Sequence, residues 1–322
     1  MSHYITVPIG ANGVIDPDEG IQDIVSQAMS AAFGTTDVFI YSHGWWTTAD
    51  AALKNYNVAT TGFIYFTRNK GYPKTEPPMF PFLIGIHWPS MANDDPTGVA
   101  NLLEPLTFYT MEKRADDIGQ EGLYAILRLI FLAVRPDSKL RINLLGHSFG
   151  CKVVCAALER LAVNSIAVPP SITFNVLLLQ AAFATDSLDA GGAYEHVVPT
   201  FRPWLRMLVS RSAADDALGK AFPAARAINW FHQGVRTALG ATGPSGALKA
   251  AFATNQDVAV AWDSTFLGSV AAPPTGPLLV SADLTAFHTS IENPYKADSW
   301  GGHHSDIYEP QVYDLMGWFL FG

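Results

Sequence analysis

Residues 141–161 read RINLLGHSFGCKVVCAALERL, and this stretch decides how the chain folds. Its first part is an apolar run, which predicts a buried strand. Its last part repeats apolar residues at helical spacing, at Cys151, Val154, Cys155, Leu158 and Leu161. Between them, residues 146–150 (GHSFG) have the G-x-S-x-G form of a nucleophile elbow, in which Ser148 stands on a strained turn from strand to helix. Glycines flank the serine because the strand and the helix leave no room there for a Cβ atom.

Strands and helices alternate along most of the remaining chain. Further strands are predicted at residues 4–9, 37–41, 82–87, 172–179, 204–210 and 277–282, a long helix at residues 110–134 and a closing helix near the C-terminus. This order predicts an α/β fold with a mainly parallel central sheet and helices on both faces. No linker composition divides residues 1–322, so we expect a single domain. Cap-like insertions are expected at about residues 91–109, 181–203 and 219–276.

Composition argues against several kinds of partner. Lys and Arg total 20 against 29 Asp and Glu, a formal charge of −9, and no basic run occurs, so we expect no nucleic-acid partner. No apolar segment is long enough to span a bilayer, and no stable membrane insertion is expected. Residues 1–13 show no signal peptide, and the two cysteines, Cys151 and Cys155, are predicted to be buried thiols. These features favour a cytoplasmic location.

A serine nucleophile needs a base to accept its proton and a carboxylate to orient that base. Such groups lie at the carboxyl ends of strands in an open α/β sheet. Asp215 follows the strand predicted at residues 204–210 and is the preferred carboxylate. Asp216 is the nearest alternative, and Asp283 and Asp186 are more distant ones.

The base is predicted in the loop that precedes the closing helix. Residues 301–307 read GGHHSDI, and the two glycines allow this loop to reach over the elbow. His304 is the preferred base and His303 the alternative, whereas His288 and His232 are predicted to be structural or rim residues. Adjacent histidines also occur in metal sites, but no Cys, Asp or Glu spacing nearby completes a zinc site. We therefore expect no metal ion and no other cofactor.

The oxyanion of an acyl-transfer reaction needs backbone N–H donors. One donor is predicted to be the N–H of Phe149, the residue after the serine, and the second the N–H of Trp45. Trp45 follows an early strand, and Gly44 before it allows a tight turn. Three neighbouring side chains are predicted to bind substrate: Trp46, His43 and His147.

These motifs together resemble those of the α/β-hydrolases, and in particular the serine esterases and lipases of that superfamily. The motifs are GHSFG, the early HGW, S-x-x-D-x-A-L at residues 212–218 and HSDI at residues 304–307. The order of the predicted strands and helices resembles that of the family over residues 37–320. It implies an α/β-hydrolase fold with a partial cap. It also implies cleavage of a small-molecule acyl ester through an acyl-enzyme, with Ser148, Asp215 and His304 as the triad.

Two alternatives to an esterase remain open at the level of sequence. One is an amidase, thioesterase or acyltransferase that uses the same triad, and the other is a non-catalytic ligand-binding protein with the same fold. The placement of the insertions differs from that of many relatives, whose cap precedes the strand of the acid. The acyl chain length, the natural substrate and the oligomeric state therefore also stay open.

Overall fold

The structure, a computed structural model, describes residues 3–15, 20–30, 34–45, 47–71, 79–91, 104–224, 236–262, 270–291 and 302–322. At its centre is an eight-stranded sheet in the order β1-β3-β2-β4-β5-β6-β8-β7, with every neighbouring pair parallel. The strands are β1 (His3–Pro8), β2 (Asp37–Ser42), β3 (Pro81–His87), β4 (Leu140–His147), β5 (Ile172–Leu179), β6 (Leu205–Arg211), β7 (Asn255–Ala259) and β8 (Leu278–Asp283). The predicted parallel α/β architecture is confirmed.

Helices occupy the connections between the strands. The longer ones are α1 (Ile21–Ala28), α2 (Ala49–Tyr56), α3 (Phe63–Asn69), α4 (Glu104–Asp117), α5 (Tyr124–Ala133), α6 (Gly150–Val163) and the closing helix (Pro310–Phe321). Short helices span Val197–Phe201, Leu239–Thr242, Gly246–Ala250 and Thr285–Ser290, and π-helical turns span Asn57–Gly62, Ile118–Leu123 and Ala217–Ala221. Among the described residues, no helix combines the length and the apolar character needed to cross a membrane.

Two apolar cores cover the two faces of the sheet. Successive side chains of a strand point to opposite faces, so Leu144 of β4 packs into one core and Leu145 into the other. The first core contains the buried face of α6, including Cys151 and Cys155, which are buried free thiols as predicted. The second core contains the closing helix. Strands buried on both faces explain the continuous apolar runs seen in the sequence.

The parallel register brings the carboxyl ends of the central strands to one edge of the sheet. Ser42 of β2 pairs with Gly146 of β4, and Gly146 pairs with Leu178 of β5. Leu178 in turn pairs with Val209 of β6. The segments that follow these strands therefore start side by side, and the candidate site residues belong to these segments.

The structure differs from the prediction in three connecting segments. Residues 255–259 (NQDVA), predicted as part of an insertion, form the edge strand β7, whose polar sequence lacks the apolar signal of a buried strand. Helix α4 begins at Glu104, six residues before the predicted start at residue 110. Residues 92–103 of the predicted insertion lie outside the described residues. Thr285–Ser290, which follows the last predicted strand and for which no helix was predicted, forms a short helix.

A buried ion pair joins the amino ends of β2 and β4. Arg141 donates from Nε and Nη2 to the two carboxylate oxygens of Asp37, at 2.6 and 2.7 Å. Asp37 is completely buried. Replacing it with asparagine leaves one acceptor oxygen and turns an amide N–H₂ toward the guanidinium. We expect Asp37→Asn to lower the free energy of unfolding by about 2 kcal/mol in urea titrations.

The matched control for this pair is Asp137→Asn. Asp137 also pairs with an arginine, Arg135, but 68% of its side chain is exposed. Water then replaces the lost contact, so we expect a change below about 0.5 kcal/mol. Equal losses in the two variants would contradict the importance of the buried pair.

Candidate active site

Ser148 lies on a sharp turn between β4 and α6, as the elbow motif predicts. Its φ angle is +56°, in the left-handed region that non-glycine residues rarely adopt. The Ser148 N–H donates to the carbonyl of Leu179 at 3.1 Å, which ties the turn to the end of β5. A Cβ atom on Gly150 would lie 2.0 Å from the carbonyl oxygen of Ser42, so this position requires glycine. The serine is thus held in a strained conformation by the strand and the helix on either side.

Asp215 and His304 meet at the same edge of the sheet. His304 Nδ1 lies 2.7 Å from Asp215 Oδ2, although 89 residues separate them in sequence. Asp215 is completely buried, and its Oδ1 accepts the N–H of Leu218 at 2.9 Å. A carboxylate only accepts hydrogen bonds, so the ring proton of neutral His304 is on Nδ1. Its Nε2 then has a lone pair and is able to accept a proton.

The alternative carboxylates have other partners. Asp216 forms an ion pair with Lys220 at 2.7 Å, and its side chain is 43% exposed. Asp283 pairs with Arg211 at 3.0 Å, and Asp186 pairs with Arg236 at 3.2 Å. Of the four aspartates considered from the sequence, Asp215 is the one that the structure brings to His304.

The alternative histidines also have other partners. His303 Nδ1 lies 2.6 Å from Asp306 Oδ2, within its own loop. The His303 ring stacks on that of His288, whose Nδ1 is 3.0 Å from the hydroxyl of Ser212. His232 lies outside the described residues. The contact with Asp215 therefore distinguishes His304 from His303. The sequence alone did not separate these two histidines.

His147 holds the His304 loop against the elbow. Its Nε2 donates to the carbonyl of His304 at 2.8 Å, and the two rings lie 4.8 Å apart between centroids. Because His147 immediately precedes Ser148, this contact brings the loop of the candidate base next to the candidate nucleophile. Its ring nitrogen is engaged by the protein, so the geometry favours positioning of the loop over the predicted substrate contact.

The predicted oxyanion donors lie beside the serine. A Cβ atom on Gly44 would lie 2.7 Å from Ser148 Cβ and 3.2 Å from Ser148 Oγ, so Gly44, which precedes Trp45, packs directly against Ser148. The Phe149 N–H, at the start of α6, has no acceptor among the described residues. The rings of Trp45 and Phe149 stack with centroids 5.8 Å apart. Trp46 lies outside the described residues.

His43 supports this loop from below. It is completely buried and stacks on Trp88 with a centroid distance of 5.2 Å. Its Nδ1 donates to the carbonyl of Gly44 at 2.8 Å, and its Nε2 faces the backbone N–H of Trp88 at 3.4 Å. Both ring nitrogens are therefore engaged within the protein. The geometry favours a structural role for His43 and does not support the predicted contact with substrate.

A comparison with known protein families places the chain among the alpha/beta hydrolases. The family described as alpha/beta hydrolase of unknown function (DUF900) matches residues 31–223, which is more than half of the chain. The chain belongs to this family. The match includes the β2 loop, the elbow and Asp215, and it confirms the α/β-hydrolase resemblance and fold. No curated protein matches the chain significantly.

One buried residue beside Asp215 was not predicted from the sequence of this α/β-hydrolase. Gln180, the first residue after β5, is completely buried, and its Nε2 donates to Asp215 Oδ2 at 3.1 Å. Its only signal in the sequence is its position. Residues 174–179 are apolar except for Asn175, and Gln180 is the polar residue that follows them. Among the described residues, no group of three His, Cys, Asp or Glu side chains is arranged to hold a metal ion.

Buried histidines are expected to make this α/β-hydrolase sensitive to acid. Burial lowers the pKa of His43 and of His147 from 6.5 to about 3, and that of His288 to about 4. As pH falls below 6.5, these residues take up protons in the unfolded state before they do so in the folded state. The free energy of unfolding therefore decreases as the pH is lowered through this window.

Urea midpoints measured between about pH 7 and pH 4.5 test this expectation. We expect His147→Gln to flatten the decline, because one of the contributing groups is gone. His196→Gln is the control, since His196 is exposed and its hydrogen bond with Glu159 raises its pKa. Its removal should not flatten the decline. If the urea midpoint declines equally in wild type and in His147→Gln, His147 is not one of the groups that make the protein sensitive to acid.

Proposed function

We propose that the protein is a serine hydrolase that cleaves carboxylic esters through an acyl-enzyme, as an esterase or lipase does. The observation that carries the proposal is the contact of 2.7 Å between His304 Nδ1 and Asp215 Oδ2, beside a serine on a strand–turn–helix elbow. The proposal combines a serine, a histidine and an aspartate from three different connections at one edge of the sheet. This is the arrangement that acyl transfer requires.

In the proposed reaction, His304 Nε2 takes the proton of Ser148 Oγ as the oxygen attacks the carbonyl carbon of the ester. The carbonyl oxygen becomes an oxyanion, which the backbone N–H groups of Trp45 and Phe149 bind. The intermediate then collapses, the C–O bond to the alcohol breaks, and His304 protonates the leaving alkoxide. Asp215 keeps the imidazole in the correct tautomer throughout the reaction.

The second half of the reaction restores the enzyme. His304 takes a proton from water, whose oxygen attacks the acyl carbon of the ester formed by Ser148. The second tetrahedral intermediate is bound by the same N–H donors, and its collapse releases the carboxylic acid as Ser148 Oγ regains its proton from His304. The small-molecule acyl ester is the only partner that this scheme needs.

Labelling with a fluorophosphonate tests the proposal directly, since this reagent reacts with a serine that has been activated by a base. We expect one adduct per chain in the intact mass of wild type, on the peptide that contains Ser148, and none in Ser148→Ala. Ser187→Ala is the matched control, because Ser187 is similarly buried, at 6% exposure against 7% for Ser148. The control should be labelled like wild type.

Hydrolysis assays then separate the candidate reactions. We expect wild type and Ser187→Ala to hydrolyse p-nitrophenyl esters, and Ser148→Ala to show only the background rate. Labelled protein that cleaves thioesters or amides but not esters would replace the esterase with one of the alternatives that use the same triad. Folded wild type that is neither labelled nor active would favour a non-catalytic binding protein.

A further inference from the structure

Gln180 occupies an unusual backbone position between the elbow and Asp215. It follows β5 directly, is completely buried and has a φ angle of +49°. Residues other than glycine rarely adopt such a positive φ angle, and these conformations persist where the surrounding structure enforces them. The next residues are tied down on both sides: the Ala182 N–H donates to the carbonyl of Ser148 at 3.3 Å, and the Gly240 N–H donates to that of Ala181 at 3.0 Å.

The side chain of Gln180 is clamped by Ser210, the penultimate residue of β6. The Ser210 hydroxyl accepts the backbone N–H of Gln180 at 2.9 Å and donates its proton to Gln180 Oε1, also at 2.9 Å. The other neighbour of the amide, Asp215 Oδ2, is a carboxylate oxygen that only accepts hydrogen bonds, so the amide oxygen must face Ser210 and accept its hydroxyl proton. This leaves the amide N–H₂ facing Asp215, at the 3.1 Å separation of Nε2 and Oδ2.

We propose that Gln180 is a positioning residue for Asp215, which fixes the orientation of the carboxylate that holds His304. Three donors converge on this carboxylate: Oδ2 accepts from Gln180 and His304, and Oδ1 accepts from the Leu218 N–H. Donors on both oxygens prevent rotation of the carboxylate about its Cβ–Cγ bond. The inference rests on the proposed function, because the orientation of His304 matters only if it serves Ser148.

Loss of the Gln180 donor has two expected consequences. The carboxylate is free to turn, so His304 spends less time in the productive geometry. Fewer hydrogen-bond donors also stabilise the negative charge of Asp215, so this charge interacts more strongly with protonated His304. The labelling reaction is then expected to need a higher pH to reach its maximal rate. A residue that served only packing would affect stability without moving the pH dependence of the reaction.

The experiment compares Gln180→Met with Ser210→Ala and a buried control. Gln180→Met keeps the length of the side chain but lacks the donor, and Ser210→Ala keeps the donor but removes its clamp. Asn175→Ala is the control, since Asn175 is a buried amide on β5, five residues before Gln180, and its Nδ2 donates to Asn143 Oδ1 at 2.7 Å and not to Asp215. The rate constant for labelling by a fluorophosphonate is measured from about pH 5 to pH 9, with thermal unfolding of each variant.

In Gln180→Met we expect the labelling rate at its high-pH plateau to fall about ten- to hundredfold. The pH of half-maximal rate should move upward by about 0.5 to 1 unit. Ser210→Ala should change both quantities in the same direction by less, and Asn175→Ala should change neither, even if its unfolding midpoint falls.

Wild-type rates and an unchanged pH profile in folded Gln180→Met would overturn the inference. If Gln180→Met does not fold, the same result in Ser210→Ala overturns it. The proposed function fails separately, through the absence of labelling in wild type.

Discussion

Asp215→Asn is expected to lower kcat for ester hydrolysis by about three to four orders of magnitude. Asp215 accepts from donors on both of its oxygens, namely Leu218 N–H on Oδ1 and the Gln180 and His304 groups on Oδ2. Asparagine has only one acceptor oxygen, so its amide N–H₂ must face one of these donors. If it faces His304, the imidazole loses the tautomer that leaves Nε2 free to accept a proton.

Asp216→Asn is the matched control for this prediction, because it makes the same chemical change at the next residue. Asp216 is 43% exposed and pairs with Lys220, one turn away. Its kcat should stay within about twofold of wild type, as expected for the loss of an exposed ion pair. Steady-state kinetics with p-nitrophenyl esters measure both variants, with circular dichroism to verify folding. A loss in Asp215→Asn of less than about tenfold would mean that Asp215 does not orient the base.

Gly150→Ala is expected to lower the free energy of unfolding by more than about 3 kcal/mol, or to prevent folding altogether. The added Cβ would lie 2.0 Å from the carbonyl oxygen of Ser42 and 2.7 Å from that of His43. Both are backbone atoms at the end of β2, so no side-chain rotation relieves the clash. Helix α6 must move away from the sheet, and Ser148 moves with it.

Gly246→Ala is the control for the added methyl group. Gly246 begins a short helix and is exposed, and a Cβ atom added to it would have no neighbouring atom within 4 Å. Alanine favours a helix over glycine, so stability should stay equal or rise by up to about 1 kcal/mol. The unfolding midpoint in urea and the fluorophosphonate labelling rate are the measurements. Equal midpoints for Gly150→Ala and wild type would show that the elbow accepts a side chain there.

Strand β7 and His43 show what a linear sequence pattern omits. Strand β7 (NQDVA) was missed because an edge strand with exposed faces has no apolar periodicity. His43 was predicted to contact substrate, and the structure shows its ring stacked on Trp88 with both ring nitrogens in contact with protein groups. The position of a residue in a motif predicted its neighbourhood correctly. It did not predict the direction in which the side chain points.

The sequence by itself determined the parallel sheet, the elbow and the order of serine, acid and histidine along the chain. These features depend on local periodicity and on turns whose glycines have no alternative, so short stretches such as residues 141–161 are sufficient to predict them. Only the tertiary structure distinguishes His304 from His303 and Asp215 from Asp216, because it brings His304 Nδ1 to 2.7 Å from Asp215 Oδ2. In each pair the two residues are chemically identical and adjacent in sequence. They differ only in contacts with distant segments, and the same is true of Gln180, whose role depends on strands β5 and β6 lying side by side.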